Sequence, residues 1–93
     1  MRRIELTGQF KRDYRREAKG QHRAILDAEL KPVLQCLSDD KPLEARYRDH
    51  ALTGEWKDHR DCHIKPDLML IYQKPIAEVL RLVRIGSHSE LGL

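Results

Sequence analysis

The chain has little of what staples or anchors a small protein. Its two cysteines, Cys36 and Cys62, are too few for the disulfide framework of a small secreted domain, and both read as reduced, inert thiols. No apolar run approaches the length of a membrane span. The charged start Met1-Arg2-Arg3 has no apolar stretch behind it, so neither a signal peptide nor a membrane partner is expected, and a cytoplasmic location is. Internal repeats and low-complexity linkers are also missing. In 93 residues that leaves the expectation of one domain, 1–93, closed around one core.

What is abundant is charge. Charged residues make up 35% of the chain against 40% hydrophobic, with a formal charge of +3 when all five histidines are neutral. A pI near 9.0 favours anionic partners, nucleic acid among them, without naming one.

Periodicity sets the elements. Ile4 and Leu6 alternate with charges ahead of Thr7-Gly8, which predicts a short half-buried strand and a turn. From Gln9 to about Ala18, Phe10, Tyr14 and Ala18 recur every four residues, predicting a helix that buries this stripe and shows a basic face. Lys19-Gly20-Gln21 breaks it. Ile25, Leu26, Leu30, Val33, Leu34 and Leu37 then predict a second helix, kinked or restarted at Pro32, because an internal proline costs on the order of 3 kcal/mol. Beyond Lys41-Pro42 the segments shorten to residues 45–49, 56–64, 68–73 and 78–85. The last three read as strands joined by turns at Lys65-Pro66-Asp67 and Lys74-Pro75. The expected class is α+β, with two N-terminal helices packed on one face of a small antiparallel sheet and the other face, or a concavity at its edge, left for a ligand.

Four of the five histidines, His50, His59, His63 and His88, fall in the second half among Asp49, Asp58, Asp61 and Asp67. If 56–64 is extended, His59, Asp61 and His63 share one face, and Arg60, Cys62 and Ile64 the other. Asp67 lies four residues past His63 across a proline turn, where its carboxylate could return to the imidazole. Arg84 shares a strand face with Leu80 and Leu82 and would stand as a cation among the histidines if that face is the one bearing His63. Metal-free RNA cleavage needs a base for the 2′-hydroxyl, an acid for the departing 5′-oxygen and a cation for the phosphate, which are roles for histidine, aspartate and arginine. An imidazole titrating near 6.5 serves as either acid or base.

Plainer readings stand beside this one. His22 and His59 suit ordinary surface positions, Trp56 a half-buried sheet position, and Arg2, Arg3, Arg12, Arg15 and Arg16 a solvated helix face. His59, Asp61 and His63 at alternate positions also match a two-imidazole, one-carboxylate metal set.

The residues Tyr47-Arg48-Asp49-His50, Leu52-Thr53-Gly54, Trp56-Lys57, Arg60-Asp61, His63, Pro66-Asp67, Leu70-Ile71-Tyr72, Arg84 and Gly86-Ser87-His88-Ser89-Glu90-Leu91 form a long ordered pattern. In it the chain resembles the YafQ branch of the RelE/ParE toxin superfamily. The resemblance implies a microbial-ribonuclease-like fold and a ribosome-dependent endoribonuclease acting on messenger RNA without metal or cofactor. It also implies a DinJ/RelB-like ribbon-helix-helix antitoxin, with operator DNA met only through the antitoxin complex. It carries over His50, His63, Asp67 and His88 as catalytic, with Asp61, Arg84, Lys57, Arg60 and Trp56 supporting them or binding RNA. Where the family often has aromatics for base stacking, this chain has Leu68 and Gly92. A ParE-like gyrase poison and a non-catalytic nucleic-acid-binding module remain the alternative functions.

Overall fold

A computed structural model describes residues 1–93, which alternate β1 (Arg3–Leu6), α1 (Gly8–Glu17), α2 (Leu26–Ser38), β2 (His50–Ala51), β3 (Arg60–Lys65), β4 (Leu68–Gln73), β5 (Val79–Gly86) and α3 (His88–Leu91). Single 3-10 turns occupy Ala45–Tyr47 and Gly54–Trp56. The α+β class holds. The sheet, however, is mixed: its order is β1-β5-β4-β3-β2, with β1 parallel to β5 and every other pair antiparallel. Short turns force β3, β4 and β5 to alternate in direction, but no turn links β1 to β5, so its direction is left to packing.

Local chemistry explains most boundaries. The Thr7 side chain caps α1 by accepting from the Phe10 amide at 2.9 Å, and Thr7 also donates to the Val83 carbonyl at 2.8 Å, tying the helix start to β5. The buried stripe of α1 is Phe10, Asp13 and Glu17, whereas Tyr14 is half-buried and Ala18 exposed. The expected stripe is therefore displaced, because a carboxylate at Asp13 is matched from β5. In α2, Leu26, Leu30, Val33 and Leu37 are buried and the helix runs unbroken through Pro32. Pro32 and Ala28, whose carbonyl loses its donor, both lie on the solvent side, where water can serve that carbonyl and no restart is needed.

The principal core lies between the helices and one sheet face: Phe10, Leu26, Leu30, Val33 and Leu37 meet Cys62, Ile64, Leu68, Leu70, Tyr72, Leu80, Leu82 and Ile85. The opposite face is not bare. Met69 and Ile71 project there beneath Leu91 of α3, with Leu52, Trp56 and Val83 packed alongside. This second, smaller cluster seats α3 and the loop after β2, the two pieces that flank the histidines. Irregular pairing sets the phase of β5: Ile71 pairs with Arg84 but Tyr72 with Leu82, so Val83 is an extra residue. Ile85 consequently rejoins Leu80 and Leu82 in the core, and Arg84 does not continue their face.

Candidate active site

Strand register gathers the polar cluster. His50 of β2 is the cross-strand partner of Asp61 of β3, and the row His63, Met69, Gly86 brings the start of α3 alongside β3. His88 is the first residue of α3, whose Ser87 cap and Glu90 form a reciprocal capping box. The His63 ring lies edge-on to His88 at 5.5 Å between centroids and tilted to His50 at 6.5 Å. His50, His63 and His88 thus form a row of imidazoles with Asp61 beneath.

Asp61 is 3% exposed, and its Oδ1 has no hydrogen-bond partner. Burial pushes this carboxyl above its ordinary range, while the positive fields of His50, His63 and His88 oppose the shift without cancelling it. Its Oδ2 lies 3.7 Å from His50 Nε2. His50 Nδ1 donates to the Arg48 carbonyl at 2.7 Å, since a carbonyl only accepts, and this leaves Nε2 as the free lone pair. Arg48 itself is in the left-handed region at φ 49°. Asp49 fixes the segment from the other side, accepting from Tyr72 at 2.6 Å and from Arg60 at 3.2 Å.

Beside His63 and His88 opens a cleft of about 420 Å³, walled by Arg46, Arg48, Lys65 and Pro66 among others. Lys65 pairs with Glu29 at 3.0 Å, Arg46 stacks over the Tyr47 ring at 4.7 Å, and Arg48 takes part in no ion pair. A groove with free positive charge next to titratable side chains suits a phosphate backbone.

Several expected placements change. Arg84 does not stand among the histidines: its Nε and Nη2 bind Asp13 of α1 at 2.9 and 3.0 Å, so that buried carboxylate takes up its charge. Asp67 is exposed in the β3–β4 turn and forms no hydrogen bond or ion pair, so the carboxylate beside the imidazoles is Asp61 and not Asp67. His59 immediately precedes β3, its Nδ1 donating to the Lys57 carbonyl at 3.0 Å and its ring lying edge-on to Trp56. His59, Asp61 and His63 are not brought together as a ligand set: no group of three or more His, Cys, Asp or Glu side chains is arranged to hold a metal ion. Arg60 is engaged by Asp49, Trp56 belongs to the small cluster under the sheet, and Lys57 alone of these three is an exposed, unpaired cation.

Residues 2–92 match the model of the family described as "Bacterial toxin of type II toxin-antitoxin system, YafQ". The chain belongs to the YafQ toxin family. A curated relative, the mRNA interferase toxin YafQ of Escherichia coli K12, is 40% identical over 89 residues, covering 95% of this chain and 92% of the relative. The crystal structure of YafQ from E. coli BL21(DE3) superposes with a TM-score of 0.82 at 37% identity, covering 98% of both chains. YafQ in the E. coli DinJ–YafQ complex superposes at 0.80, with 38% identity and 98% coverage of each chain.

Leu68 and Gly92, the two positions where the resemblance leads one to expect aromatics, both have structural duties here. Leu68 is 1% exposed in the principal core, facing the helices, and Gly92 ends α3 at φ 72°, where a side chain would be strained. Sequence reasoning missed Arg46 and Lys65 of the cleft wall, which carry no pattern beyond scattered charge. It also missed α3, although Ser87-His88-Ser89-Glu90 is a capping-box signature.

Proposed function

We propose that this YafQ-family chain is a messenger RNA endoribonuclease, acting in the cytoplasm on ribosome-held messages and neutralised by a DinJ-like ribbon-helix-helix antitoxin. The observation that carries the proposal is the row of His50, His63 and His88 over buried Asp61 at the edge of a basic cleft. In this reading the His50 Nε2 lone pair takes the ribose 2′-hydroxyl proton, and the 2′-oxygen attacks phosphorus. A 2′,3′-cyclic phosphate forms as the P–O5′ bond breaks, and protonated His88 delivers a proton to the 5′-oxygen. His63, between the two, relays protons or holds the non-bridging oxygens. Asp61 stabilises whichever imidazole is charged, and Arg48 and Lys57 oppose the phosphate charge. Asp67, next to the cleft residue Pro66, enters only when RNA lies against the turn. Arg60, Trp56 and Arg84 act indirectly, by fixing Asp49, the small cluster and α1.

Cleavage of one message is followed by primer extension in excess chelator, with and without its start codon, and the fragment ends are identified by mass. Cuts confined to the translated message, with cyclic or 3′-phosphate ends, are expected. Equal cutting of both messages would end ribosome dependence, and 3′-hydroxyl ends or a need for added metal would end the acid–base mechanism. The antitoxin and its operator belong to the same proposal: the product of the neighbouring gene should abolish cutting, and the toxin should meet operator DNA only within that complex.

A further inference from the structure

We propose that Arg16 is a positioning residue for the cleavage reaction, acting through Glu90 on the helical turn that carries His88; this rests on the reading of His88 given above. Arg16 belongs to α1 and makes no contact with the histidines, yet its guanidinium joins three elements. Nη1 donates to Asp13 at 3.1 Å, Nη2 to the Ile85 carbonyl at 3.0 Å, and Nε lies 3.0 Å from Glu90 Oε2. Nε also donates to Glu17 of its own helix at 3.1 Å.

Glu90 is the residue that closes α3. Its Oε1 accepts from the Ser87 amide at 2.9 Å, while the Ser87 hydroxyl accepts from the Glu90 amide at 3.2 Å. One carboxylate oxygen therefore holds the turn and the other is held by Arg16. A helix of four residues has almost no stability of its own, so its orientation must be imposed from outside. Leu91, buried over Met69 and Ile71, fixes its depth, and the Arg16–Glu90 pair fixes its rotation.

Gly86 permits the approach. A Cβ built there would stand 2.8 Å from Arg16 Nη2 and 3.2 Å from Glu90 Oε1, so the guanidinium and carboxylate both press against the backbone just before the cap. Arg16 is anchored in turn by Asp13, which is fully buried and also binds Arg84 and the Ile85 amide. The rigid end of α1 is thereby transmitted to the imidazole of His88, whose edge-on contact with His63 depends on where α3 points. The side chain is 40% exposed, so the guanidinium is not a core group whose loss must unfold the chain.

The test is steady-state cleavage of a message on programmed ribosomes. Arg16→Gln is expected to lower kcat about ten- to a hundredfold with KM little changed, because small misplacements of an acid–base group cost that much. Arg16→Lys, which keeps the charge but not the fork, should recover part of the rate. Glu90→Gln, which keeps an oxygen for the Ser87 amide and leaves Asp13 untouched, should lose rate as Arg16→Gln does. In a His88→Ala background neither change should lower the residual rate further, since nothing remains to be positioned. Wild-type kcat in Arg16→Gln, or the same fractional loss with and without His88, would overturn the proposal. If His88→Ala itself cuts normally, the assignment of His88 fails; if His88→Ala is crippled while Arg16→Gln is normal, only the positioning role fails.

Discussion

At the scale of single residues, the environment of Asp61 works against the fold. A carboxylate with one unpartnered oxygen, 3% exposed, binds its proton more tightly in the folded chain than in the unfolded one. The folded-state value is raised, so this residue's stabilising contribution is present below the ordinary carboxylate range and declines as pH rises through the folded value. Asp61→Asn should therefore melt a few degrees higher than the parent at neutral pH, with the difference shrinking in acid, while cutting more slowly; a lower melting temperature at neutral pH would refute this. His88 shows the converse balance. Its side chain is exposed at the start of a peripheral turn, so His88→Ala should leave the melting temperature and antitoxin co-purification unchanged and lower cleavage by about 10²–10⁴. Growth on inducing medium reports the same loss, and continued killing would remove His88 from the reaction. His50, His63, His88 and Asp61 are visible in the sequence as candidates because four of the five histidines gather in the second half of the chain with aspartates among them. Spacing across a turn does not fix where the exposed side chain of Asp67 points, and the pairing of His50 with Asp61 depends on β2, two residues long and without any hydrophobic pattern.

At the scale of elements, α3 ties function to a very small structure. Removing the cap by Ser87→Ala should cost about 1 kcal/mol of local helix stability. Because α3 sits at the periphery, on the small cluster and β5, that loss should appear in the cleavage rate and in amide exchange of residues 88–91 before it appears in global melting. A fall in melting temperature as large as that of a core deletion would contradict this. The longer elements were legible for ordinary reasons. α2 carries four buried leucine and valine residues at helical spacing, and β4 is a continuous apolar run that ends at proline-containing turns. The start of β3 was not, because Trp56 and His59 look like strand residues but are bound into a 3-10 turn by bonds such as His59 amide to Trp56 carbonyl at 3.0 Å.

At the scale of the whole molecule, one buried carboxylate holds the helical layer to the sheet. Asp13 is 0% exposed and accepts from Gln9, Arg16, Arg84 and the Ile85 amide. Burial by itself would raise its pKa, but the bonds from Arg84, Gln9 and Ile85 outweigh it and the carboxyl titrates below its ordinary value. The stability it contributes is complete above the unfolded carboxylate value and is lost as pH falls through the depressed folded value. Asp13→Asn should cost about 3 kcal/mol or more at neutral pH, because Arg84 is left without its counter-charge, and should flatten the acid limb of a circular-dichroism unfolding titration. An unchanged acid limb would show that another group governs it. Arg84 looked like a site residue because it lies on a strand beside the histidines, and it proved structural because Asp13 of α1, buried and 71 residues away in the chain, holds its guanidinium, a pairing no strand alternation reveals. The parallel pairing of β1 with β5 has a kinetic consequence. Arg3 pairs with Val79 and Leu6 with Leu82, so the first strand made can find its place only after the last strand has been formed. The β3-β4-β5 meander can assemble from neighbours in the chain, whereas β1 must wait for a long loop to close, so its docking is expected to be the slow step of refolding. During that interval Ile4 and Leu6 have no strand beside them, and a chain stalled there presents the unpaired edge of β5 to any other strand it meets.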